Sequence, residues 1–301
     1  MKEIRNILEN KVVIVHNPAL NMETNNFIKK TFNLFFIPVL NTLPVGSRKS
    51  IVKTDKAVGE IVKNATNHKA LEILYSNGKG SGKNIKNLYR KIAHIVWFNT
   101  NNSKAVRNRL KIVKDELEKT LLEKNGQDIN FLSIAAGSAR AIIEAVTKIK
   151  PTSKISFTFL DKNPDATEYS KQMIEENEYL KNNPNFKFSW INDTVNNFLN
   201  THREKFTIVE MVGLMDYFND EKALNIFTNI FNILEKDGIF LTANINNNSE
   251  KKFVTKAIGW PMIYRKAEDL ALLVHQAGFN HEKMDVYYEP HKIHSIIKAR
   301  C

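Results

Sequence analysis

The sequence has one cysteine and no long hydrophobic run, and each absence excludes a class of protein. Cys301, the last of the 301 residues, has no second cysteine for an intramolecular disulfide, and no cluster of Cys and His indicates a zinc site. The most apolar stretch, residues 32–40, contains Pro38 and is far shorter than the roughly 20 residues that cross a bilayer. We therefore expect no metal site and no membrane span.

A targeting signal is also lacking at the N-terminus. The apolar run at residues 12–15 is too short for the core of a secretory signal peptide, and no small-residue cleavage site accompanies it. Together with the scarcity of cysteine, this favours a reducing, cytoplasmic location.

The composition is that of a folded protein with an excess of positive charge. Hydrophobic residues make up 43% and charged residues 25%, and the length allows one large domain or two modest ones. The formal net charge is +12. A basic surface attracts nucleic acid, acidic lipid headgroups or anionic metabolites. Biased use of Lys, Asn and Ile is the simpler explanation.

From residue 130 onward, short apolar runs alternate with helical stretches, which is typical of βαβ units and a parallel sheet. A preceding segment, residues 104–124, has apolar residues three and four apart and is predicted to be a helix that leads into the sheet. The predicted strands are 130–135, 154–160, 186–191, 206–212, 239–244, 281–288 and 292–299, and the predicted helices between them are 138–149, 165–179, 194–201, 221–234 and 267–276.

The last two predicted strands are joined only by residues 289–291, which is too short for a helical crossover, so one of them must run antiparallel. The sequence therefore predicts an α/β fold: a Rossmann-like, seven-stranded sheet that ends in an antiparallel hairpin and occupies residues 105–301. Residues 1–104 lack this alternation and are predicted to form a mainly helical cap.

Small residues form the turn between the first strand and its helix, where residues 133–140 read SIAAGSAR. Such a turn lets the backbone approach a ligand closely at a helix N-terminus. The alternative is an ordinary tight turn between strand and helix, because Gly137 is its only glycine. The candidate binding residues here are Ser133, Ala135, Ala136, Gly137, Ser138 and Arg140.

Polar residues follow the second and third strands. Asp161 lies 24 positions after Gly137, a distance at which a carboxylate accepts hydrogen bonds from ribose hydroxyls. Its alternative role is to cap the following helix. Asn192 and Asp193 follow the third strand and are candidates for a ligand contact or for an ordinary helix cap.

Two later loops complete the candidate site. After the fourth strand, Val212 and Gly213 permit close approach of a ligand, and Asp216 and Tyr217 are candidates to face it. After the fifth strand, residues 259–265 (GWPMIYR) include Tyr264 and Arg265, and an arginine there can pair with a carboxylate. The alternative is that the aromatic residues of both loops only pack and that Arg265 is a surface charge.

Over residues 105–301 the order of the predicted elements and the candidate motifs together resemble class I S-adenosylmethionine-dependent methyltransferases. More narrowly, the segments IAAGSAR, VGLMDYF and GWPMIYRKAEDL resemble bacterial 3-hydroxypalmitic acid methyl ester synthases. The resemblance implies S-adenosylmethionine as cofactor, with its methionine part at the turn around Gly137, its ribose at Asp161 and its adenine near Asn192 and Asp193. It also implies that the cofactor and the acceptor meet after the fourth strand.

The implied reaction is methyl transfer to a small-molecule or lipid-like acceptor, with a carboxylate or hydroxyl oxygen favoured and an anionic or acyl compound among the candidates. A carboxylate needs no general base, whereas a hydroxyl is helped by one. Asp216, Tyr217, Tyr264 and His275 are the candidate bases. The N-terminal cap is expected to build the acceptor pocket.

Three alternatives stay open. The basic N-terminal region suits an RNA methyltransferase. The scarcity of glycine at the first turn suits a module that binds the cofactor without turnover. An enzyme of this fold can also transfer an aminopropyl or aminobutyrate group.

Residues 78–84 resemble a phosphate-binding loop but have three residues between the glycines where four are required, so a basic loop is the better interpretation. No feature indicates the oligomeric state.

Overall fold

The computed structural model describes residues 2–44, 46–47, 56–65, 67–76, 91, 94–95 and 97–301, and in this part of the chain one sheet has eight strands. Their order across the sheet is β1-β7-β8-β6-β5-β2-β3-β4, in which β8 runs antiparallel to both of its neighbours and the other pairs are parallel. The strands are β1 Val12–Ile14, β2 Ile129–Ile134, β3 Ile155–Leu160, β4 Phe186–Ile191, β5 Phe206–Val212, β6 Leu234–Ile245, β7 Met284–Tyr288 and β8 His294–Arg300.

Helices cover both faces of this sheet. They are α1 Lys2–Asn10, α2 Phe27–Thr42, α3 Lys56–Lys63, α4 His68–Tyr75, α5 Asn101–Glu123, α6 Arg140–Ile149, α7 Pro164–Glu175, α8 Glu178–Lys181, α9 Val195–Thr201, α10 Asp220–Ile233 and α11 Ala267–Gln276. A π-helix covers Phe253–Ile258, and Met215–Tyr217 forms a 3₁₀ turn. Residues 78–84, the loop that resembles a phosphate-binding loop, lie outside the described residues.

The α/β fold and the antiparallel C-terminal hairpin are confirmed. Three of the differences between predicted and observed boundaries have local reasons. The predicted helix 165–179 divides into α7 and α8 because the Asn177 side chain accepts from Leu180 N–H and caps a new helix. The predicted turn at residues 236–238 lies inside β6, where Asp237 adopts a positive φ of 57°. The predicted strand from residue 281 begins at Met284, after a 3₁₀ turn.

The sheet has one strand more than the seven predicted, and the extra strand comes from the N-terminal region. β1 pairs in parallel with β7, with Val12 beside Val286. This pairing covers the backbone edge that β7 would otherwise expose. A run of three residues carries too weak a pattern to be read as a strand. The division at residues 104 and 105 stays a prediction; α5 begins at Asn101 and continues through it.

The core lies on both faces of the sheet, which explains the continuous apolar runs in the sequence. On one face Leu132 and Met211 pack beneath α10 and α11, and on the other Phe131 and Ile208 pack beneath α5 and α6. Because β2, β3, β5 and β6 are parallel, their carboxyl ends meet at one edge, and the loops that follow them form the candidate site there.

Candidate functional site

A cleft of about 950 Å³ opens at the carboxyl ends of β2, β3 and β5. Helix α4 contributes His68, Leu71 and Tyr75 to the opposite wall. Of the predicted binding residues, Ala135, Ala136, Gly137, Ser138, Arg140, Asp161, Asp193, Val212 and Gly213 line this cleft.

The turn after β2 has the backbone of a ligand cradle. Ala135, Gly137 and Ala139 all have φ between 52° and 56°, in the left-handed region that favours glycine. Ala139 is the N-cap of α6 but makes no side-chain cap hydrogen bond. Within the described residues no N-cap side chain accepts from the first N–H groups of α6 at the cleft, and the positive end of the helix dipole favours an anionic group there.

Asp161 connects the turn after β2 to the turn after β3. Its Oδ2 accepts from Gly137 N–H at 3.0 Å, and its Oδ1 accepts from Asn163 N–H at 2.9 Å. A carboxylate has about four acceptor positions, so two remain for a ligand. The two backbone bonds hold the carboxylate in place at the cleft wall.

Two predicted binding residues do not line the cleft. Ser133 is buried in β2, and its hydroxyl donates to Glu210 Oε2 at 2.7 Å. Asn192 donates from Nδ2 to Thr167 Oγ1 at 2.9 Å and to the Asp161 carbonyl at 3.2 Å, so it supports the strand ends. Asp193 does line the cleft, although its carboxylate also accepts from Thr194 N–H.

Arg140 closes one side of the cleft through an ion-pair network. Its guanidinium contacts Glu72 of α4, and its Nη1 lies 3.1 Å from Glu144 Oε1. These carboxylates raise the pKa of Arg140 and keep it charged. The network joins α4 to α6, so the N-terminal region is fixed across the mouth of the cleft.

A second, smaller cavity of about 80 Å³ adjoins the cleft. The two share Leu71, Arg109, Gly213, Tyr217 and Trp260. Most of the other side chains that line the small cavity are apolar: Ile61, Leu74, Trp97, Val106, Ile245, Phe253, Val254, Ile258 and Met262. The arrangement suits a small apolar molecule that meets a second ligand at the shared wall.

Arg109, from α5, is the charged group at the shared wall. It is 3% exposed, and a Cβ built on Gly213 would lie 3.8 Å from its Nη1 and Nη2. Burial lowers its pKa, but the Tyr75 hydroxyl and the Asp216 carboxylate outweigh this effect and raise it. Its Nε has no hydrogen-bond partner among the described residues. A buried, charged guanidinium with a free donor is suited to bind an anion.

Asp216 and Tyr217 both line the small cavity, as do His294 and Trp260. Burial raises the pKa of Asp216 against the effect of Arg109 and of Ile245 N–H, which donates to its Oδ1 at 2.7 Å. Burial also raises the pKa of Tyr217 to about 12, and Trp260 Nε1–H donates to its hydroxyl at 2.7 Å. Tyr217 is therefore a neutral phenol at physiological pH.

Tyr264 and Arg265 line neither cavity. Arg265 is buried, and it donates to Asp220 Oδ1, to the carbonyls of Met215 and Phe218 and to Asn244 Oδ1. Its donors are used within the protein, so it fixes the loop after β5 and does not point a free charge at an acceptor. The Tyr264 ring lies under the ammonium of Lys251, 4.3 Å from its centroid. His275 bonds through Nδ1 to the Phe279 carbonyl, away from the site.

Residues 63–300 match the sequence family described as "Putative methyltransferase". The chain belongs to this methyltransferase family. None of the curated proteins matches the chain. The family confirms the predicted class of enzyme, a methyltransferase.

Three solved structures have the fold of this methyltransferase. A possible exported protein from Bordetella parapertussis is 11% identical, with a TM-score of 0.65 over 95% of this chain and 99% of its own. Magnesium protoporphyrin IX methyltransferase from Synechocystis, bound to S-adenosylhomocysteine, is 11% identical, with a TM-score of 0.51 over 67% of this chain and 87% of its own. An O-methyltransferase family protein from Burkholderia thailandensis is 10% identical, with a TM-score of 0.51 over 78% of this chain and 63% of its own.

Sequence reasoning missed Arg109 and His294 of the methyltransferase. His294 is 3% exposed, and neither ring nitrogen has a hydrogen-bond partner among the described residues. Burial holds its pKa well below the ordinary value, so the ring is neutral. Arg109 falls within the predicted helix 104–124 and His294 within the predicted strand 292–299, and neither element is predicted to carry a site residue. The sequence gives no signal for the burial of His294, because β8 (HSIIKAR) mixes apolar and polar residues and does not have the continuous apolar run of a strand buried on both faces.

Within the described residues the methyltransferase has no group of three His, Cys, Asp or Glu side chains that could hold a metal ion. The same residues contain no helix long and apolar enough to cross a membrane.

We expect Glu210 to make the wild type progressively less stable than Glu210→Gln as pH rises from about 5 to 7, while the buried neutral His294 acts in the opposite direction in both proteins. Burial raises the pKa of Glu210 to about 7, against the effect of the Ser133 hydrogen bond and of Arg109. In that pH interval the native state holds a proton that the unfolded chain has released, so raising the pH favours unfolding. Glu210→Gln, which keeps an acceptor for Ser133, should be as stable as the wild type near pH 5 and more stable by about 2 to 3 kcal/mol at pH 8.

Urea unfolding of the wild type and the variant at pH 5, 6, 7 and 8 measures this difference. A difference that is the same at every pH would contradict the raised pKa of Glu210.

Proposed function

We propose that the methyltransferase holds S-adenosylmethionine in the 950 Å³ cleft and transfers its methyl group to an oxygen of a small, largely apolar acceptor in the adjoining cavity. The single observation that carries the proposal is the shared wall. Arg109, Gly213 and Tyr217 face both cavities, so a donor in one and an acceptor in the other would meet there.

The residues of the cleft fit the cofactor. The uncapped N-terminus of α6 suits the carboxylate of its methionine part, and Asp161 suits its ribose hydroxyls. Asp193, at the end of β4, is the proposed contact for adenine. The left-handed turn at Ala135 and Gly137 lets the backbone approach closely.

When bound, S-adenosylmethionine supplies an electrophilic methyl group on a sulfonium. The protein's own part is to align the acceptor and to exclude water. The apolar walls of the small cavity, among them Trp97, Phe253 and Trp260, exclude water. Gly213, with φ of 89° and no side chain, lies at the wall that the two cavities share.

We further propose that the acceptor atom belongs to a carboxylate. Arg109 would bind one carboxylate oxygen and leave the other to react. This acceptor needs no general base, in agreement with a Tyr217 whose pKa is about 12. The resemblance to 3-hydroxypalmitic acid methyl ester synthases supports the same acceptor group. The small cavity, walled by apolar and aromatic side chains, favours a small molecule over RNA.

A methyl-transfer assay with matched acceptors tests this proposal. Aliphatic carboxylic acids of increasing chain length would be compared with their primary amides and their methyl esters, which have the same carbon skeleton. We expect the free acids to be methylated, with kcat/KM that depends on chain length, and the amides and esters to be inert. Methylation of alcohols or amines with no turnover of any acid would overturn the carboxylate proposal.

A further inference from the structure

Helix α2 presents its apolar side to solvent. Six large hydrophobic side chains on this helix are between 48% and 83% exposed, and we call them the α2 surface: Phe27, Ile28, Phe32, Leu34, Phe35 and Val39. Soluble proteins seldom leave so many large apolar side chains together in water unless the patch has a binding role.

The orientation of α2 is fixed by its other side. Asn33 and Ile37 are buried, and Asn33 Nδ2 donates to Asn101 Oδ1 at 3.1 Å. Asn41 donates to the Ser249 carbonyl and accepts from Phe253 N–H. These hydrogen bonds hold the helix with its apolar side outward, and turning that side inward would break them.

Lysines adjoin the α2 surface. Lys29 and Lys30 lie on α2 itself, and this helix contains no acidic residue. Lys30 is exposed, and exposed Lys252 and Lys256 lie on the π-helix segment that α2 contacts. An apolar helix side bordered by lysines complements a surface that is apolar within and anionic at its boundary.

We propose that the α2 surface docks on the face of an anionic lipid bilayer. The helix would lie in the interface, with its phenylalanines among the acyl chains and its lysines at the headgroups. Its 16 residues, with Pro38 inside, are too few to span the bilayer. The lysines on and beside this surface favour an anionic partner over a second, equally basic copy of the chain.

Docking through this surface would bring the small cavity close to the bilayer. The π-helix that contacts α2 contributes Phe253, Val254 and Ile258 to the wall of that cavity. An acceptor dissolved in the lipid would then have a short path to the site. The docking itself does not rest on the proposed function, and its test does not use methyl transfer.

The test is cosedimentation of the full-length protein with vesicles of phosphatidylcholine, with and without about 30% phosphatidylglycerol. We expect binding to the anionic vesicles and little to the neutral ones. Leu34→Ser with Phe35→Ser should weaken binding at least tenfold, because two buried apolar contacts are lost. Lys29→Glu with Lys30→Glu should weaken binding to anionic vesicles at least tenfold, since each lysine near such a surface contributes about fivefold.

Leu122→Ser is the matched control, because Leu122 is 57% exposed on α5 and lies outside the α2 surface. It should bind as the wild type does, and thermal unfolding shows whether each variant is folded. The absence of vesicle binding by the wild type, or equal binding by all variants, would overturn the proposal. So would a dimer in sedimentation velocity that the Leu34→Ser, Phe35→Ser variant abolishes, since the surface would then bind a second copy.

Discussion

Replacing Arg109 by lysine is expected to lower kcat/KM for the acceptor about 100-fold while changing the affinity for S-adenosylmethionine much less. Arg109 is buried at the wall that the cleft and the small cavity share. Lysine keeps the charge but loses the rigid, planar set of donors with which a guanidinium holds a carboxylate oxygen in one position. The loss should therefore fall on the acceptor and on the transition state.

Arg107→Lys is the control for this prediction. Arg107 is also a buried arginine of α5, but it pairs with Glu23 at 2.7 Å and lines neither cavity. The kcat/KM of the Arg107→Lys variant should stay within about threefold of the wild-type value, whatever the substitution does to stability. Steady-state kinetics with a saturating methyl donor separates the two variants. Equal losses in both would show that Arg109 acts only through the packing of α5.

Replacing Asp161 by alanine is expected to weaken S-adenosylmethionine binding about 30-fold or more. A hydrogen bond to a charged acceptor is worth about 1.5 to 3 kcal/mol, and ribose offers two hydroxyl donors. The change also removes the acceptor of Gly137 N–H and Asn163 N–H, so the turn itself loses support. Asp161→Asn, which keeps one acceptor oxygen, should give an intermediate affinity.

Asp165→Ala is the matched control for Asp161. Asp165 lies four residues later, is exposed and pairs with Lys69 at 3.3 Å, and it does not line the cleft. An exposed pair of this kind contributes little to stability. Titration calorimetry should give the wild-type affinity for Asp165→Ala. Unchanged affinity in Asp161→Ala would remove Asp161 from the proposed cofactor contacts.

The parts of the fold and site that the sequence predicts are those that depend on local pattern. Strands buried on both faces read as apolar runs, so β2 to β6 and their helices are recognised. The turn at Gly137 and the position of Asp161 follow from chain order, because parallel strands bring their carboxyl ends to one edge. The structure places both at the cleft, joined by a hydrogen bond of 3.0 Å.

The rest depends on contacts between distant segments. Arg109 reads as a surface charge on an amphipathic helix until the N-terminal helices cover that side of α5. His294 reads as part of an edge hairpin until β6 pairs with β8. Arg265 illustrates the reverse case: its residue type suits an acceptor contact, but burial and four hydrogen bonds within the protein give it a structural role. The predicted cytoplasmic location stays a prediction.

The central claim is that the cleft at the turn of Gly137 binds the methyl donor. Titration calorimetry of the wild-type protein with S-adenosylhomocysteine and S-adenosylmethionine tests it most directly. The account predicts one site per chain with micromolar affinity for both. Absence of binding by either ligand up to about 1 mM, with the protein folded, would contradict it.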